Sequence, residues 1–391
     1  MPPWVHIGLV FDYTFGYQRG VLRGIKQYAQ AKPHWILVPH DAHGFTRRAL
    51  RTMPSDAFIV SVVNKELVGV LQSVRRPLVN VASVLPDVPF PRVGVDHRQV
   101  GELAFRHLRD RGLHNLGFVG HAKHFYSTER EAGFRQALTP SHHTYRCFYE
   151  HPAKSYRQRG RLLALTARLQ RWLRALPKPA GVFACHDVWG LQVVEACRLT
   201  GLRVPDDVAV IGVDNDDLLC ELARPSLSSI IVPAEQIGYE AAAMLERLMR
   251  SGKHPLKPRL IPPAGVVTRQ SSDILAGSDG DVTAAVRFIR DHAHVPLDVS
   301  EVLRAVPVSR RSLEQRFRAT LERGVGEEIR RVHLERAKNL LAKTNLSIAE
   351  VAQQAGFTSL HYLSRVFRQE TGQTPTLYRR QFRVPVAASK V

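Results

Sequence analysis

The stretch that most constrains this chain runs from Ile348 to Arg380, IAEVAQQAGFTSLHYLSRVFRQETGQTPTLYRR. Ile348, Val351, Ala352 and Ala355 recur at helical spacing and make one apolar face. Gly356 follows, at a turn where a left-handed backbone is cheapest without a Cβ. Ser359 is placed to cap a second helix, which carries Tyr362, Leu363, Val366 and Phe367 inward. That helix ends near Gly372, with Pro375 preventing simple continuation. Its outer face presents Leu360, His361, Ser364, Arg365 and Arg368. A short helix, a glycine turn and a second helix with a basic, hydrogen-bonding face describe a helix-turn-helix that reads a major groove. An ordinary helical hairpin with a solvated face is the alternative.

The plan occurs twice. In LDVSEVLRAVPVSRRSLEQRFRATLERG, Leu313 and Phe317 stand 50 residues before Leu363 and Phe367, an internal repeat that implies two such units. TAAVRFIRDHA reads as a preceding helix. VGEEIRRVHLERAKNLLAKT joins the units, and Ile329, Val332, Leu334, Ala337, Leu340 and Leu341 predict one helix there. About 19 residues at about 1.5 Å each span about 28 Å. That can hold two recognition helices roughly one DNA turn, about 34 Å, apart on one duplex face.

The closing run resembles the signature of the AraC/XylS family of bacterial transcription regulators, in I-A-E-V-A, G-F, S, Y-L-S-R-x-F-R, G-x-T-P and Y-R-R. By motif position the resemblance implies that Arg311, Glu314 and Gln315 in the first unit, with His361, Tyr362 and Arg365 in the second, approach bases. Arg310, Arg316, Arg318 and Arg368 would meet phosphates, which position a protein without reading sequence, and Ser364 shares the DNA-facing side. Two residues depart from the pattern. Pro307 stands where the family often has glycine, and Glu314 is acidic on a face approaching DNA. Glu314 could accept from a cytosine amino group or pair with Arg310 or Arg318 at helical spacing.

The first two-thirds alternates between short apolar runs and amphipathic helical patterns. VHIGLVF, HWILVP, DAFIVSVV, PLVNVAS, NLGFVG, YRCFYE, AGVFAC and VAVIGVD read as strands. YQRGVLRGIKQYA, RQVGELAFRHLRDRG and DVWGLQVVEACRLTG read as helices between them. Such alternation argues for parallel sheets flanked by helices, with ligands beyond the carboxyl ends of strands. The count suits two α/β lobes, with the chain crossing near Asp96 to Glu102 and returning after Asp214.

Three segments sharpen this. HFYSTEREAGFRQAL places Glu129 and Arg130 just before a helix, and AGVFACHDVWG places His186 and Asp187 directly after a strand. VPDDVAVIGVDNDDLLCELARPSLSSI places Asp214 and Asn215 after the most apolar strand. Together they resemble the two-lobed ligand-binding domain of LacI-type repressors and periplasmic sugar-binding proteins. That resemblance implies Arg130, Asp187 and Asp214 as ligands for sugar hydroxyls in the interlobe cleft, with His186 and Asn215 beside them and Asp12 as a further candidate. Carboxylates accept hydroxyl protons and arginine donates in a planar fork, as a neutral polyol requires. Each residue also has a plain structural reading: Asp187 as a helix N-cap, Asp214 as a turn residue, Arg130 as an exposed residue in a first helical turn. Phe11, Tyr13, Phe15, Tyr17, Phe125, Tyr126 and Trp189 are the aromatic candidates for packing on sugar C–H groups.

Composition adds exclusions. No window resembles a membrane span of about 20 apolar residues. The start, MPPWVHIGLVFDY, does not read as a signal peptide. Four cysteines without C-x-x-C or zinc-ligand spacing suit reduced thiols in a cytoplasm. The net charge of +20 makes a polyanion a plausible partner, and it is spread: 36 basic against 24 acidic residues precede Asp281, 19 against 11 follow from it. No P-loop, G-x-S-x-G, H-E-x-x-H or dinucleotide fingerprint is present, so an enzyme is not expected. His121 and His124, or His142 and His143, could chelate a metal, but no accompanying ligand set is visible, and neither metal nor cofactor is expected.

The expected fold is thus a two-lobed α/β periplasmic-binding-protein-like sensor over 1–275, a linker over 276–281 around Gly277, Ser278, Asp279 and Gly280, and an all-α domain with two helix-turn-helix units over 282–391. A sensor placed before an AraC-type reader resembles the xylose-responsive branch of that family. The resemblance implies a cytoplasmic activator with D-xylose as effector, double-stranded DNA and RNA polymerase as partners, and a homodimeric assembly.

Overall fold

The computed structural model describes residues 4–42, 45–52, 55–73, 76–138, 142–150, 159–252, 257–274 and 279–382. Two parallel sheets make the first part of the chain. Trp35–Asp41, Val5–Phe11, Ala57–Val60 and Leu78–Asn80 lie side by side in that order in the first lobe. The second lobe orders Val266–Val267, Ser228–Ile230, Val208–Val213, Ala180–Ala184, Asn115–His121 and Thr144–Glu150, antiparallel only at the Val266–Val267 edge. Every residue of Ala57–Val60, Ala180–Ala184 and Val208–Val213 is buried, which is why these strands read as continuous apolar runs rather than alternating ones.

The lobes are joined by three passages of the chain. The first leaves Leu78–Asn80 and enters helix His97–Arg109 through the short strand Val93–Val95, earlier than the Asp96–Glu102 stretch expected from sequence. The second runs from Ser228–Ile230 to helix Ala234–Ser251, which packs against helix Gly16–Gln30 on the first lobe. The third returns through Arg259–Ile261, paired in parallel with Val93–Val95, to Val266–Val267. Across the cleft, Phe125 and Tyr126 at the start of helix Phe125–Gln136 donate backbone N–H groups to Val84 O at 2.9 Å and Ser83 O at 2.8 Å.

Among the described residues seven helices follow: Gly280–Asp291, Val299–Ala305, Arg310–Leu321, Val325–Lys343, Ile348–Gln354, Leu360–Thr371 and Pro375–Phe382. Of the expected linker, residues 276–278 lie outside the described residues, and Asp279 already caps the first of these helices through its carboxylate. Gly280 and Asp281 therefore begin a helix rather than end a loop. The long helix Val325–Lys343 contributes Val325 and Ile329 to one core with Val302, Leu313 and Phe317. Its second half gives Leu334, Ala337 and Leu341 to another core with Val351, Leu363 and Phe367. Leu313, Phe317, Leu363 and Phe367 are all fully buried, so the repeated pair serves the same purpose in both units. No helix among the described residues is long and apolar enough to cross a membrane.

Candidate functional site

In each lobe a central strand is followed in sequence by neighbours on both of its sides, Val5–Phe11 in one and Asn115–His121 in the other. The crevice beyond the carboxyl ends of strands at such a point is the binding position of an open α/β sheet. Asp12 follows the first of these strands; His121, Cys185 and His186 stand at the carboxyl ends of the second pair. The two ends face each other across the interlobe cleft.

Arg130 is central to it. Its helix begins at Phe125, so Glu129 and Arg130 lie inside the helix rather than before it, and Arg130 is 4% exposed rather than solvated. Its guanidinium donates Nη1 to Cys185 O and Nε to His97 Nδ1 at 3.3 Å, places Nη2 3.5 Å from Asp214 Oδ1, and stacks over the Tyr126 ring at 5.2 Å. Asp214 and Asn215 have φ of +103° and +51°, a left-handed region that non-glycine residues rarely occupy. Such a conformation persists only where the surroundings fix it. Here Ser229 Oγ accepts from Asn215 N at 3.0 Å, and Asp187 Oδ2 accepts from Asp216 N at 2.8 Å. Burial lifts the Asp214 carboxyl to about 6, against the pull of Arg130.

Asp187 has a different place from the one expected. It is 1% exposed, its Oδ1 accepts from Ser229 Oγ at 2.6 Å, and its Oδ2 accepts from Asp216 N and faces Cys220 Sγ at 3.6 Å. Its oxygens are committed to holding the Asp214 loop. The helix cap is His186, whose Nδ1 accepts from Trp189 N at 3.2 Å. Asn215 Oδ1 accepts from Arg269 Nη2 at 3.0 Å, which ties this side chain to the turn that follows strand Val266–Val267. Asp12 Oδ1 accepts from Thr14 N at 3.0 Å, and its backbone N–H donates to Gln18 at 2.7 Å.

Sequence reasoning missed His97. Burial, together with Arg130 and Arg92, keeps its imidazole neutral well below the ordinary histidine range. Nδ1 accepts from Arg130, so the single ring proton sits on Nε2, a buried atom with no partner among the described residues. That donor, the Arg130 fork and the Asp214 carboxylate provide directional partners for hydroxyls. The Tyr17 hydroxyl donates to Val81 O at 2.8 Å, close enough to Asp214 and Arg130 to feel both charges. Phe11 is instead wholly in the core, and the Tyr13 hydroxyl turns to Leu9 O and His40 O. His97 carries no motif; it is merely the first residue of a helix capped by Asp96.

His121 is the second surprise. Its Nε2 lies 3.2 Å from His186 Nε2 and accepts from Trp189 Nε1 at 3.1 Å, while Nδ1 faces the buried Glu150 carboxylate at 3.4 Å. With burial holding His121 down to about 4, the ring is neutral at physiological pH, and these partners assign its proton to Nδ1. His121, Cys185 and His186 also present donor atoms within 4.8 Å of one another, a grouping that linear spacing did not reveal. In this arrangement the His121 lone pair is already engaged by two N–H groups, which makes the cluster a hydrogen-bond relay under the cleft.

The helical domain presents a second candidate surface. Arg310, Arg311, Gln315 and Arg318 on one recognition helix, and His361, Arg365 and Arg368 on the other, are exposed, with Ser364 half-buried among the latter. Ser309 and Ser359 cap the two helices through backbone N–H groups of Ser312 and Tyr362. Gly356 has φ of +73°, and a Cβ there would meet Val295 O at 2.5 Å. Pro307 cannot copy that turn; Val308 N instead closes a three-residue turn on Val306 O at 2.8 Å.

Three expected DNA contacts sit elsewhere. Arg316 points back to Asp279 at 3.4 Å and to Asp281, so its charge is spent on the preceding helix. Glu314 accepts from Val325 N at 3.4 Å and satisfies the start of the long helix, in place of either Arg310 or Arg318. Tyr362 is half-buried against Phe357 at 5.8 Å, with the Arg365 guanidinium over its ring at 5.3 Å. It supports Arg365 from beneath.

Comparison with known proteins agrees with this division. A periplasmic binding protein-like domain matches residues 105–272 and a helix-turn-helix domain matches 302–381. The xylose operon regulatory protein of Escherichia coli K12 is 31% identical over 386 residues, covering 95% of this chain and 96% of that protein. Its counterpart in Haemophilus influenzae is 30% identical over 384 residues, covering 95% and 97%. Among solved structures, that of a xylose-binding transcription activator matches with a TM-score of 0.62 at 31% identity, over 97% of this chain and 98% of that one. A ribose-bound LacI-family regulator from Enterococcus faecium matches the sensor fold, with a TM-score of 0.56 at 21% identity over 70% of this chain and all of that one. Since the likeness to the first two reaches 30% identity or more over 95% of this chain, the chain belongs to the xylose operon regulatory protein family of transcription regulators.

Proposed function

We propose that this chain is a cytoplasmic, D-xylose-responsive activator that binds promoter DNA as a homodimer and engages RNA polymerase there. The chain is a transcription regulator, not an enzyme, and no cofactor enters the proposal. Residues 1–275 would sense the sugar, and the part from helix Gly280–Asp291 onward would read DNA, with the expected 276–281 linker shortened by the start of that helix. In the cleft, Arg130, Asp214 and His97 meet sugar hydroxyls, with Asp12 and His186 at its edges, while Asp187 and Asn215 hold the Asp214 loop. On the DNA, Arg311, Gln315, His361 and Arg365 face bases, and Arg310, Arg318, Ser364 and Arg368 face the backbone.

The observation that carries this reading is the left-handed Asp214 set 3.5 Å from buried Arg130, a strained donor–acceptor pair at the cleft of a chain whose other end exposes two basic recognition helices. A sugar shifts DNA binding only through its differential affinity for two states. Titration of D-xylose, L-arabinose, D-ribose and D-glucose by calorimetry, with gel shifts on the chain's own promoter region, tests it. Selective xylose binding that strengthens the DNA complex is expected. Response to another of these sugars alone would replace the effector and keep the regulator, whereas DNA binding insensitive to all four would remove the sugar-sensing role.

A further inference from the structure

Helix His97–Arg109 has one end in the cleft and the other against the DNA-reading domain. At its start His97 accepts from Arg130. At its end Asp110 Oδ1 lies 3.1 Å from Arg323 Nη1, Asp110 O accepts from Arg323 Nη2 at 2.8 Å, and Arg331 Nη1 lies 3.7 Å from Asp110 Oδ2. Arg323 follows the first recognition helix, and Arg331 lies on the long helix that joins the two units. Thirteen residues at about 1.5 Å each make a rod of about 20 Å between these ends.

Two features make the rod stiff and the grip specific. Gly101 and Gly133 let helix His97–Arg109 lie directly on helix Phe125–Gln136: a Cβ on Gly101 would stand 2.0 Å from Arg130 O, and one on Gly133 2.0 Å from Arg98 O. Arg98 and Glu129 bridge the same pair at 2.8 Å, so Arg130 and the rod move together. At the far end, Glu328 is fully buried and accepts from Arg323 Nε at 2.7 Å and from Arg331 at 2.7 Å, fixing both arginines toward Asp110. His107 and Arg111 also bond Ser272, whose neighbour Asp273 pairs with Arg290 of the first helix of the reading domain. The reading units also touch the third interlobe passage, where Tyr378 donates to Ala264 O at 2.8 Å and Asn339 to Val266 O at 3.3 Å. Among the described residues, however, helix His97–Arg109 is the element that starts at Arg130 and ends on Arg323 and Arg331.

We propose that helix His97–Arg109 transmits sugar binding to the DNA reader, and that Asp110 gripped by Arg323 and Arg331 is the latch through which it acts. The proposal rests on the sugar-responsive reading above. Asp110 touches neither sugar nor DNA, so it is a positioning residue: removing its charge leaves both ligands' sites intact and uncouples them. Because coupling is reciprocal, the loss appears equally in xylose affinity with and without DNA.

The test uses full-length wild type, Asp110→Asn, Arg323→Gln and the double variant, with melting by circular dichroism to confirm folding. D-Xylose affinity is measured by calorimetry, and promoter affinity by fluorescence anisotropy with and without D-xylose. A wild-type coupling in the usual range of about 5- to 150-fold should fall to within about twofold of unity in each single variant. Xylose affinity without DNA should stay within about twofold of wild type, and the double variant should lose no more than either single one, as expected of one shared contact. Coupling retained in both single variants overturns the latch. Loss of xylose binding itself in Asp110→Asn also overturns it, by assigning Asp110 to the integrity of the cleft. A wild type that binds promoter but shows no xylose effect overturns the sugar reading, an outcome visible before any variant is made.

Discussion

Arg130 Nη2 lies 3.5 Å from Asp214 Oδ1, with the arginine side chain 5% exposed and the carboxylate 26% exposed. The carboxylate is thus paired from behind and open in front. A left-handed aspartate costs about 1–3 kcal/mol, and Asp187, Ser229 and Arg269 hold the loop that keeps it there. Hydrogen bonds to a charged group contribute about 1.5–3 kcal/mol each, so Asp214→Ala is expected to weaken D-xylose binding by at least about 10-fold. Promoter binding without sugar should be unchanged. Calorimetry and gel shifts on the folded variant check both; undiminished xylose affinity would remove Asp214 from the cleft chemistry.

The same burial gives a pH signature. Burial lifts Asp214 to about 6, and burial with repulsion from Asp214 lifts Asp187 to about 8. Both values lie above the ordinary 3.8, so the folded chain holds these protons more tightly than the unfolded chain does. Their contribution to stability is therefore full below about pH 4 and is lost as pH rises through about 6 and then about 8. Asp214→Asn removes the lower step. Its urea midpoint should match wild type near pH 4 and exceed it at pH 8, while its xylose response is lost. A midpoint no higher than wild type at pH 8 would contradict the desolvation argument.

On the DNA face, Arg316 and Arg318 look equivalent in sequence and differ in the fold. Arg318 is exposed and Arg316 is held by Asp279 and Asp281. Each phosphate contact adds about 0.9 to the slope of log affinity against log salt for duplex DNA. Arg318→Ala should lower that slope by about one, and Arg316→Ala should leave it unchanged while costing at most about 1 kcal/mol of stability, as for a partly exposed ion pair. Arg365→Ala should differ from both, losing about 1–3 kcal/mol mainly on the preferred sequence. Anisotropy titrations across a salt series separate the three. A slope change in Arg316→Ala would return that residue to the DNA.

The strands were legible because doubly covered parallel strands need unbroken apolar runs, and VAVIGV or AGVFA satisfy little else. The reading units were legible because a helix-turn-helix needs a cap, a turn and an apolar stripe at fixed spacing, which Ser359, Gly356, Leu363 and Phe367 supply within one short segment. Residues defined by distant partners were not legible. Asp187 reads as a ligand until Ser229 and Asp216 are seen on its oxygens, and Arg316 reads as a phosphate contact until Asp281 is. His97 has no local mark, because its use depends on Arg130, 33 residues away. The grip of Arg323 on Asp110 joins residues 213 apart and no motif reports it.

Glu328 offers the most severe test of the domain contact. It is fully buried, with Arg323 and Arg331 on its two oxygens. Burial alone would raise its carboxyl, but Arg331, Arg323 and Arg290 hold it below the ordinary 4.5. A carboxyl held down in the fold contributes stability above the unfolded value, lost as pH falls through the folded one. Removing one partner of a buried ion pair costs roughly 3–5 kcal/mol, because the remaining charges lose their counterpart. Glu328→Ala is therefore expected to lower the urea midpoint strongly at pH 7, with the gap to wild type narrowing below about pH 4.5 as the wild-type carboxyl takes up its proton. The proposed sugar site lies in the other domain, so the folded fraction of the variant should bind D-xylose with unchanged affinity. A variant as stable as wild type at pH 7 would mean that Arg323 and Arg331 find Asp110 without Glu328, and that the buried carboxylate is not what fixes them.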